Sequence, residues 1–459
     1  MYKIDFNSPI HIHFIGIGGI SMSALAKILL SKGFTISGSD AKESAITSEL
    51  KEKGCRIYIG QSSSNIDNTI KAAIYTAAIS DTNEELTECK RLDIPTLTRA
   101  ELLGQLMTNY STAIGVSGTH GKTTTTSLLT EIFLNAAADP TILVGGILPS
   151  IGGNLRIGNS DVFITEACEY TNSFLSFHPT MNIILNVEAD HLDFFKDIDD
   201  IRNSFKKYTE LLPENGYLII NSAIKDYEFF FKDSKCNVVT FGLNPVISDF
   251  SAKDLTINGV ADYSYTLLYK NKEICNVSLK VPGEHNVLNS LAAIAAAVTY
   301  GIDINTAACG VSNYSGVNRR FQLKGSYNGF TIVDDYAHHP DEITATLKAA
   351  KNYPHKKLWC VFQPHTYTRT KALLNDFSKA LTLADHVVLA KIYEAREQDI
   401  YGVSSDDIRK LVLSHGTPCE YFTEFSEIEN FIKENAQPGD LVITMGAGNI
   451  VEVGEHILN

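Results

Sequence analysis

The run STAIGVSGTHGKTTTTSLL, residues 111–129, sets an apolar strand, a glycine-rich turn and a helix start in immediate succession. That order dictates a local β–loop–α unit, because small residues let a strand feed a helix within a few residues. It also aims the turn's backbone N–H groups and the positive end of the helix at one spot, which suits a phosphate. The lysine after the turn reaches the outer phosphates, and the next hydroxyl suits Mg²⁺. Gly118, Gly121, Lys122 and Thr123 fill those roles. The strict phosphate-loop pattern carries glycine six residues before the lysine; here that residue is Val116, so the loop is a variant. The stretch predicts a nucleoside triphosphate and leaves the acceptor of its phosphate open.

The same strand–helix alternation runs before and after this unit. HIHFIGIGGISMSALAKILLSKGFTISGSD (11–40) predicts a buried strand, a glycine turn, a helix ended by Gly33 and a second strand. AAIYTAAI (72–79) predicts a further strand, followed by an acidic helix. Beyond the phosphate loop come strands at DVFITEA (161–167) and MNIILNV (181–187), then an alanine-rich helix at 286–301. Between about 215 and 282, short strands and turns such as GYLII predict an antiparallel segment. After NYSGVNRR (313–320) the alternation resumes, implying another parallel sheet. At 459 residues, two or three domains are expected. The reading is α/β throughout, with domains at 1–106, 107–316 and 317–459.

GIGGISMS (16–23) is a glycine turn opening a helix, with Asp40 ending the next strand where it can accept from a ribose hydroxyl. Its spacing is GxGGxS rather than GxGxxG, which leaves three readings: a dinucleotide coenzyme, another nucleotide diphosphate, or tight packing. Glu169 and His191 follow apolar strands and can complete a divalent-metal shell begun by Thr123, unless Asp190 or His191 merely caps the next helix. Asn286 and Asn289 share a helix face and offer donors and acceptors that match an adenine edge; simple capping by Asn286 is the alternative. The pair Arg319–Arg320 lies between the second and third units, as a phosphate clamp or a solvated hinge. Asp334, Asp335, His338, His339, His365 and Arg369 gather polar groups after strands of the third unit, where an arginine suits the carboxylate of a small acid. Pro340 predicts a helix start with His339 near its N-cap.

Net charge is −14, which argues against non-specific binding to nucleic acid or anionic membrane. The eight cysteines show no CxxC spacing, so neither a zinc site nor a disulfide framework is expected. Neither a long apolar run nor a leader-like N-terminus is present, and a cytoplasmic protein, monomer or homodimer, is expected.

HFIGIGGISMSALA, GTHGKTTT, EADH, HNVLN, RRFQ, DDYAHHP and FQPHTYTRT, in that order along the whole chain, resemble the Mur ligase family, ATP-dependent amide-forming enzymes of peptidoglycan precursor synthesis. The resemblance implies a Rossmann-like N-terminal domain, a P-loop ATPase-like central domain with a small antiparallel segment, and a Rossmann-like C-terminal domain. It implies ATP and Mg²⁺, with L-alanine joined to the lactyl carboxylate of UDP-N-acetylmuramate. Gly118, Thr119, His120, Gly121, Lys122, Thr123 and Thr124 would hold ATP phosphates, and Thr123, Glu169 and His191 the metal. Asn286 and Asn289 would meet adenine; Arg320 and Asp334 or Asp335 would complete the nucleotide site. Gly16, Gly18, Gly19, Ser21, Ser39 and Asp40 would take the UDP portion, and His338, His365 and Arg369 the amino acid. Lys122, Arg320 and His338 would be catalytic. Cys168 stands where many relatives have an acid, so no metal role falls to it. Thr366 stands where some carry arginine, which leaves Arg369 for the carboxylate. A tripeptide-adding ligase of the same family, a nicotinamide-dependent oxidoreductase and a non-catalytic nucleotide sensor are the rival readings.

Overall fold

The computed structural model describes residues 2–76, 79–192, 194–258, 262–395 and 397–459. Two compact units divide the chain: Met1–Phe241 with Ala292–Ala307, and Gly242–Leu291 with Ala308–Asn459.

The first unit opens with strands β1 (His11–Ile15), β2 (Thr35–Asp40), β3 (Arg56–Ile59), β4 (Ala72–Tyr75) and β5 (Thr96–Thr98), all parallel in the order β3-β2-β1-β4-β5. Their crossovers include α1 (Ile20–Ser31), α2 (Ala45–Glu52) and α3 (Glu84–Arg91), and α4 (Arg99–Met107) follows β5. Strand order reverses beside β1, so the GIGGIS turn sits at a switch point, where parallel sheets collect ligands. Of the expected strand 72–79, residues 77 and 78 lie outside the described residues.

A second sheet in this unit is built from β6 (Thr112–Ser117), α5 (Lys122–Asn135), β7 (Thr141–Leu148), β8 (Gly153–Arg156), β9 (Val162–Glu166), β10 (Met181–Ile184), α6 (Ile198–Thr209), β11 (Tyr217–Asn221) and β12 (Asn237–Phe241). β6 lies between β10 and β9, so the phosphate loop also leaves a switch point. GYLII corrects the sequence reading: it is β11, parallel to both β10 and β12, not part of an antiparallel segment. Its unbroken apolar run is what a strand covered on both faces requires, and Leu218, Ile219 and Ile220 are fully buried.

In the second unit, β13 (Phe250–Asn258), β14 (Asp262–Tyr269) and β15 (Lys272–Leu279) form the expected antiparallel meander. The unit boundary runs through α7 (Glu284–Tyr300) and α8 (Ile304–Asn313). Then come β16 (Gln322–Tyr327), β17 (Phe330–Asp335), α9 (Pro340–Lys351), β18 (Leu358–Phe362), α10 (Tyr367–Ala372), α11 (Leu374–Leu381), β19 (His386–Leu389), α12 (Ser405–Ser414), β20 (Cys419–Tyr421), α13 (Phe425–Asn435), β21 (Leu441–Met445) and α14 (Val451–Leu458). The order is β16-β17-β21-β18-β19-β20, parallel apart from β16. β18 shows why helices cover both faces: Leu358, Cys360 and Phe362 pack into one apolar layer, Trp359 and Val361 into the other. No helix among the described residues is long and apolar enough to cross a membrane.

Candidate active site

The phosphate loop is shaped by its glycines and tied down from outside. Gly118 has φ +141°, and a Cβ there would stand 2.9 Å from Leu185 Cβ and 3.2 Å from the Asn186 nitrogen, so no larger residue fits. Gly121, left-handed at φ +86°, is the N-cap of α5 and brings no side-chain cap, which leaves the first-turn amides for a ligand. Asn186, which the sequence reading did not single out, clamps the loop: its Oδ1 accepts from His120 N–H at 2.8 Å, its Nδ2 donates to the His120 carbonyl at 3.1 Å, and its own carbonyl accepts from Thr119 N–H at 3.3 Å. The Thr119 hydroxyl accepts from Glu188 N–H at 2.9 Å.

Lys122 folds back over this loop. Its Nζ donates to the Gly118 carbonyl at 2.5 Å and the Thr119 carbonyl at 3.1 Å, and lies 3.1 and 3.2 Å from the two oxygens of buried Glu169. Burial alone would lower the lysine pKa, but the Glu169 carboxylate outweighs it and holds the ammonium well above its ordinary range. His191, in a left-handed conformation, has Nε2 3.9 Å from Glu169 and its ring centroid 4.5 Å from that of Tyr170. Lys122, Glu169 and His191 are thus brought together, with Thr123 and Thr124 in the first turn of α5.

At the GIGGIS turn the Ser39 carbonyl accepts from Gly16 and Ile17 N–H, each at 2.9 Å, which holds the turn. Asp40 Oδ2 accepts from Gly18 N–H at 2.8 Å; a Cβ on Gly18 would stand 2.8 Å from that oxygen. Two expectations change here. Ser39 is fully buried and its hydroxyl donates to Glu85 at 2.5 Å, so that hydroxyl is a core group rather than a ligand contact. Asp40 braces the turn in addition to standing at the strand end. Gly19 and Ile20, at the head of α1, are exposed.

In the second unit the pair Asn286 and Asn289 is buried, with Asn289 Nδ2 donating to Asn286 Oδ1 at 3.0 Å and Asn286 Nδ2 to the Pro282 carbonyl at 2.7 Å. Asn286 lies inside α7, so it does not cap it. The two arginines separate. Both guanidiniums lie over the Tyr336 ring, Arg319 at 4.9 Å and Arg320 at 5.4 Å, but Arg319 Nε also donates to buried Asp334 at 3.1 Å and its Nη2 to the Gly446 carbonyl at 2.6 Å. Asp335 accepts from Phe321 and Ala337 N–H at 2.7 and 2.8 Å; burial, opposed by Arg320, raises its pKa to about 6. Burial likewise raises Asp334, against Thr444 and Arg319.

After β17 and β18, His338 and His365 approach with ring centroids 6.1 Å apart. His338 Nδ1 lies 3.0 Å from the Tyr336 carbonyl and 3.2 Å from Glu342. Burial first, then Arg369 among other charges, lowers the His338 pKa; burial, His338 and Arg369 bring His365 to about 4. Both imidazoles are therefore neutral near pH 7 beside a guanidinium. His365 Nδ1 is buried and has no hydrogen-bond partner among the described residues, a vacancy a polar ligand can fill. His339 is the N-cap of α9 with Pro340 at its first turn, as the sequence predicts.

Three family models tile the chain: Mur ligase family, catalytic domain, over residues 11–111; Mur ligase middle domain over 116–297; and Mur ligase, glutamate ligase domain, over 319–448. A UDP-N-acetylmuramate–L-alanine ligase of Lachnospira eligens is 58% identical over 458 residues, covering 100% of both chains. Its counterpart in Agathobacter rectalis is 56% identical with the same coverage. Among solved structures, UDP-N-acetylmuramate–alanine ligase of Thermotoga maritima matches with TM-score 0.82 and 28% identity over 98% of each chain.

Proposed function

Because this chain belongs to the Mur ligase family, we propose that its three sheets divide one amide-forming reaction, with residues 1–106 taking the sugar nucleotide, 107–316 ATP and 317–459 the amino acid. The enzyme is an ATP-dependent ligase that joins L-alanine to the lactyl carboxylate of UDP-N-acetylmuramate. Near-60% identity over the full length sets aside the tripeptide, nicotinamide and sensor readings. The reaction is assigned to the cytoplasm, with small-molecule substrates only.

A carboxylate does not condense with an amine in water, because its oxygens are poor leaving groups. A lactyl carboxylate oxygen attacks the γ-phosphorus of ATP, the bond to the β–γ bridging oxygen breaks, and ADP leaves from an acyl phosphate. The alanine amine then attacks the acyl carbon, and the tetrahedral intermediate collapses with loss of inorganic phosphate and one amine proton. The loop amides of Gly118–Thr124 and the Lys122 ammonium bind and offset the charge of the transferring phosphoryl group. Arg320 adds a second cation for that charge, Asn286 and Asn289 serve the adenine, and Asp334 and Asp335 complete the nucleotide site. Gly16, Gly18, Gly19, Ser21 and Asp40 hold the UDP portion. His338, neutral by burial, accepts the amine proton, and Arg369 with His365 orients the alanine carboxylate. Glu169 supplies the hard oxygen a divalent cation prefers, with a hydroxyl from Thr123 in the first turn of α5 and His191 as a softer partner, so this set fits Mg²⁺. A Mg²⁺ ion held by these residues would supply positive charge to offset that of the transferring phosphoryl group.

The observation that carries the reading is the Lys122–Glu169 pair lying across an amide-lined loop, a phosphate cradle with its counter-charge in place. The test is phosphate release with ATP, Mg²⁺ and UDP-N-acetylmuramate, screened over single amino acids. Release is expected with L-alanine, and Lys122→Ala is expected to lower kcat by at least about 100-fold. Turnover left intact in Lys122→Ala would overturn the assignment.

A further inference from the structure

His338 stands one residue ahead of the N-cap of α9, and Pro340 fixes the helix start behind it. Glu342, in the first turn, reaches back over the helix end. Its Oε2 accepts from the His338 backbone N–H at 3.1 Å and lies 3.2 Å from the ring Nδ1. The same Nδ1 lies 3.0 Å from the Tyr336 carbonyl. A carboxylate and a carbonyl can only accept, so Nδ1 carries the ring hydrogen and donates to both. The neutral ring then keeps its lone pair on Nε2. A first-turn acid also favours a helix through its dipole, but that role calls for no contact with an imidazole.

The surroundings make this ring a poor place for a positive charge. Burial lowers the His338 pKa, and Arg369 in α10 and Arg320 ahead of β16 lower it further. Glu342, the largest influence after burial, opposes them, with the Tyr336 carbonyl on its side. The His365 ring, 6.1 Å away, and the Tyr336 ring, at 5.4 Å, also face it. His365 is held at about 4 and brings no charge near pH 7. The side chains of His338 and Glu342 are only 21% and 16% exposed, so solvent screens the pair weakly. An imidazolium formed here therefore needs the carboxylate beside it.

We propose that Glu342 is a positioning residue for amide formation, which pins the Nδ1 hydrogen of His338, leaves Nε2 to accept the amine proton, and balances the imidazolium that results. The proposal rests on the reading that His338 takes that proton. As alanine attacks, its nitrogen lone pair forms the C–N bond to the acyl carbon, and one N–H proton moves to Nε2. The acyl C–O bond then breaks with its electron pair on the departing phosphate, and the imidazolium gives its proton to solvent. Glu342 stays ionised throughout and touches neither substrate.

The test is the pH profile of kcat in the full-length enzyme with saturating ATP, Mg²⁺ and UDP-N-acetylmuramate. Glu342→Gln keeps the acceptor oxygen and removes the charge. It is expected to lower kcat about 30-fold at pH 8, with the KM for alanine within about threefold. The acid limb of the profile should move about one unit to lower pH, because the charge that raises the His338 pKa is gone. His338→Asn should lose about 100-fold and the acid limb with it, and adding Glu342→Gln to it should cost less than about twofold more. An unshifted acid limb in Glu342→Gln overturns the proposal, as does an undiminished 30-fold loss in the His338→Asn background. A kcat that falls only in step with the melting temperature, with the limb in place, also overturns it, by marking a helix-end role. A His338→Asn enzyme that keeps both kcat and the acid limb would instead remove the underlying reading of His338 as the base.

Discussion

Replacing Glu169 with glutamine is expected to reverse the metal dependence of nucleotide binding. In the ligand-free protein both Glu169 oxygens lie within 3.2 Å of Lys122 Nζ, with the carboxylate only 3% exposed and the lysine 16%. An entering triphosphate must take over that ammonium and tolerate the buried carboxylate beside it. At an effective dielectric near 20, two unit charges about 4 Å apart interact by about 4 kcal/mol, so the repulsion is substantial. Against it stands the loss of the group that pre-positions Lys122, roughly 1.5–3 kcal/mol for a charge-assisted contact. The difference leaves about 1–2 kcal/mol in favour of the variant, or about tenfold tighter binding of a non-hydrolysable ATP analogue in EDTA. In excess Mg²⁺ the sign changes, because glutamine is the poorer metal ligand, and kcat should fall by about 100-fold. Titration calorimetry in both buffers decides it. Weaker binding of Glu169→Gln in EDTA would show that Glu169 does not oppose the empty-loop phosphate, and the reasoning would fail.

The adjacent arginines should part company. Arg319→Ala removes the cation paired with buried Asp334 and is expected to cost about 3 kcal/mol in urea unfolding, whereas Arg320→Ala is expected to show its larger effect in kcat. The depressed His365 pKa, about 4 against 6.5, means the unfolded chain binds the proton first. Its contribution to stability is complete above about pH 6.5 and lost as pH falls towards 4. Asp335, raised from 3.8 to about 6, has the opposite sign, holding stability below pH 3.8 and losing it as pH rises to 6. The difference between wild type and His365→Asn, followed by pH-dependent denaturant midpoints, isolates the histidine; a pH-independent difference would refute its burial as the cause.

Much of this was legible because glycine turns and apolar strands carry local signals. The GIGGIS and GTHGKT turns could be placed between strand and helix because short apolar strands precede them and helices follow, and Pro340 marked the α9 start directly. What escaped depends on pairing. GYLII reads equally as an edge or a central strand until its neighbours are known, and only burial on both faces fixes it as parallel. Ser39 sits next to Asp40 in sequence, yet the strand pleat sends its hydroxyl to Glu85, 46 residues away. Arg319 and Arg320 are indistinguishable as letters; the partner at Asp334 separates them. Asn186 was inside a quoted motif, but its hold on His120 spans 66 residues and has no local pattern.

That hold by Asn186 has a thermodynamic consequence. A glycine loop would ordinarily lose its conformational freedom when the nucleotide arrives, at roughly 1–2 kcal/mol per residue ordered. Here the contacts to Thr119 and His120 order it as the chain folds, so that entropy is lost before any ligand is met. Nucleotide affinity is in this way partly written into folding stability. A change at Asn186 would surface as weaker binding, even though its side chain is occupied entirely by the loop's own backbone.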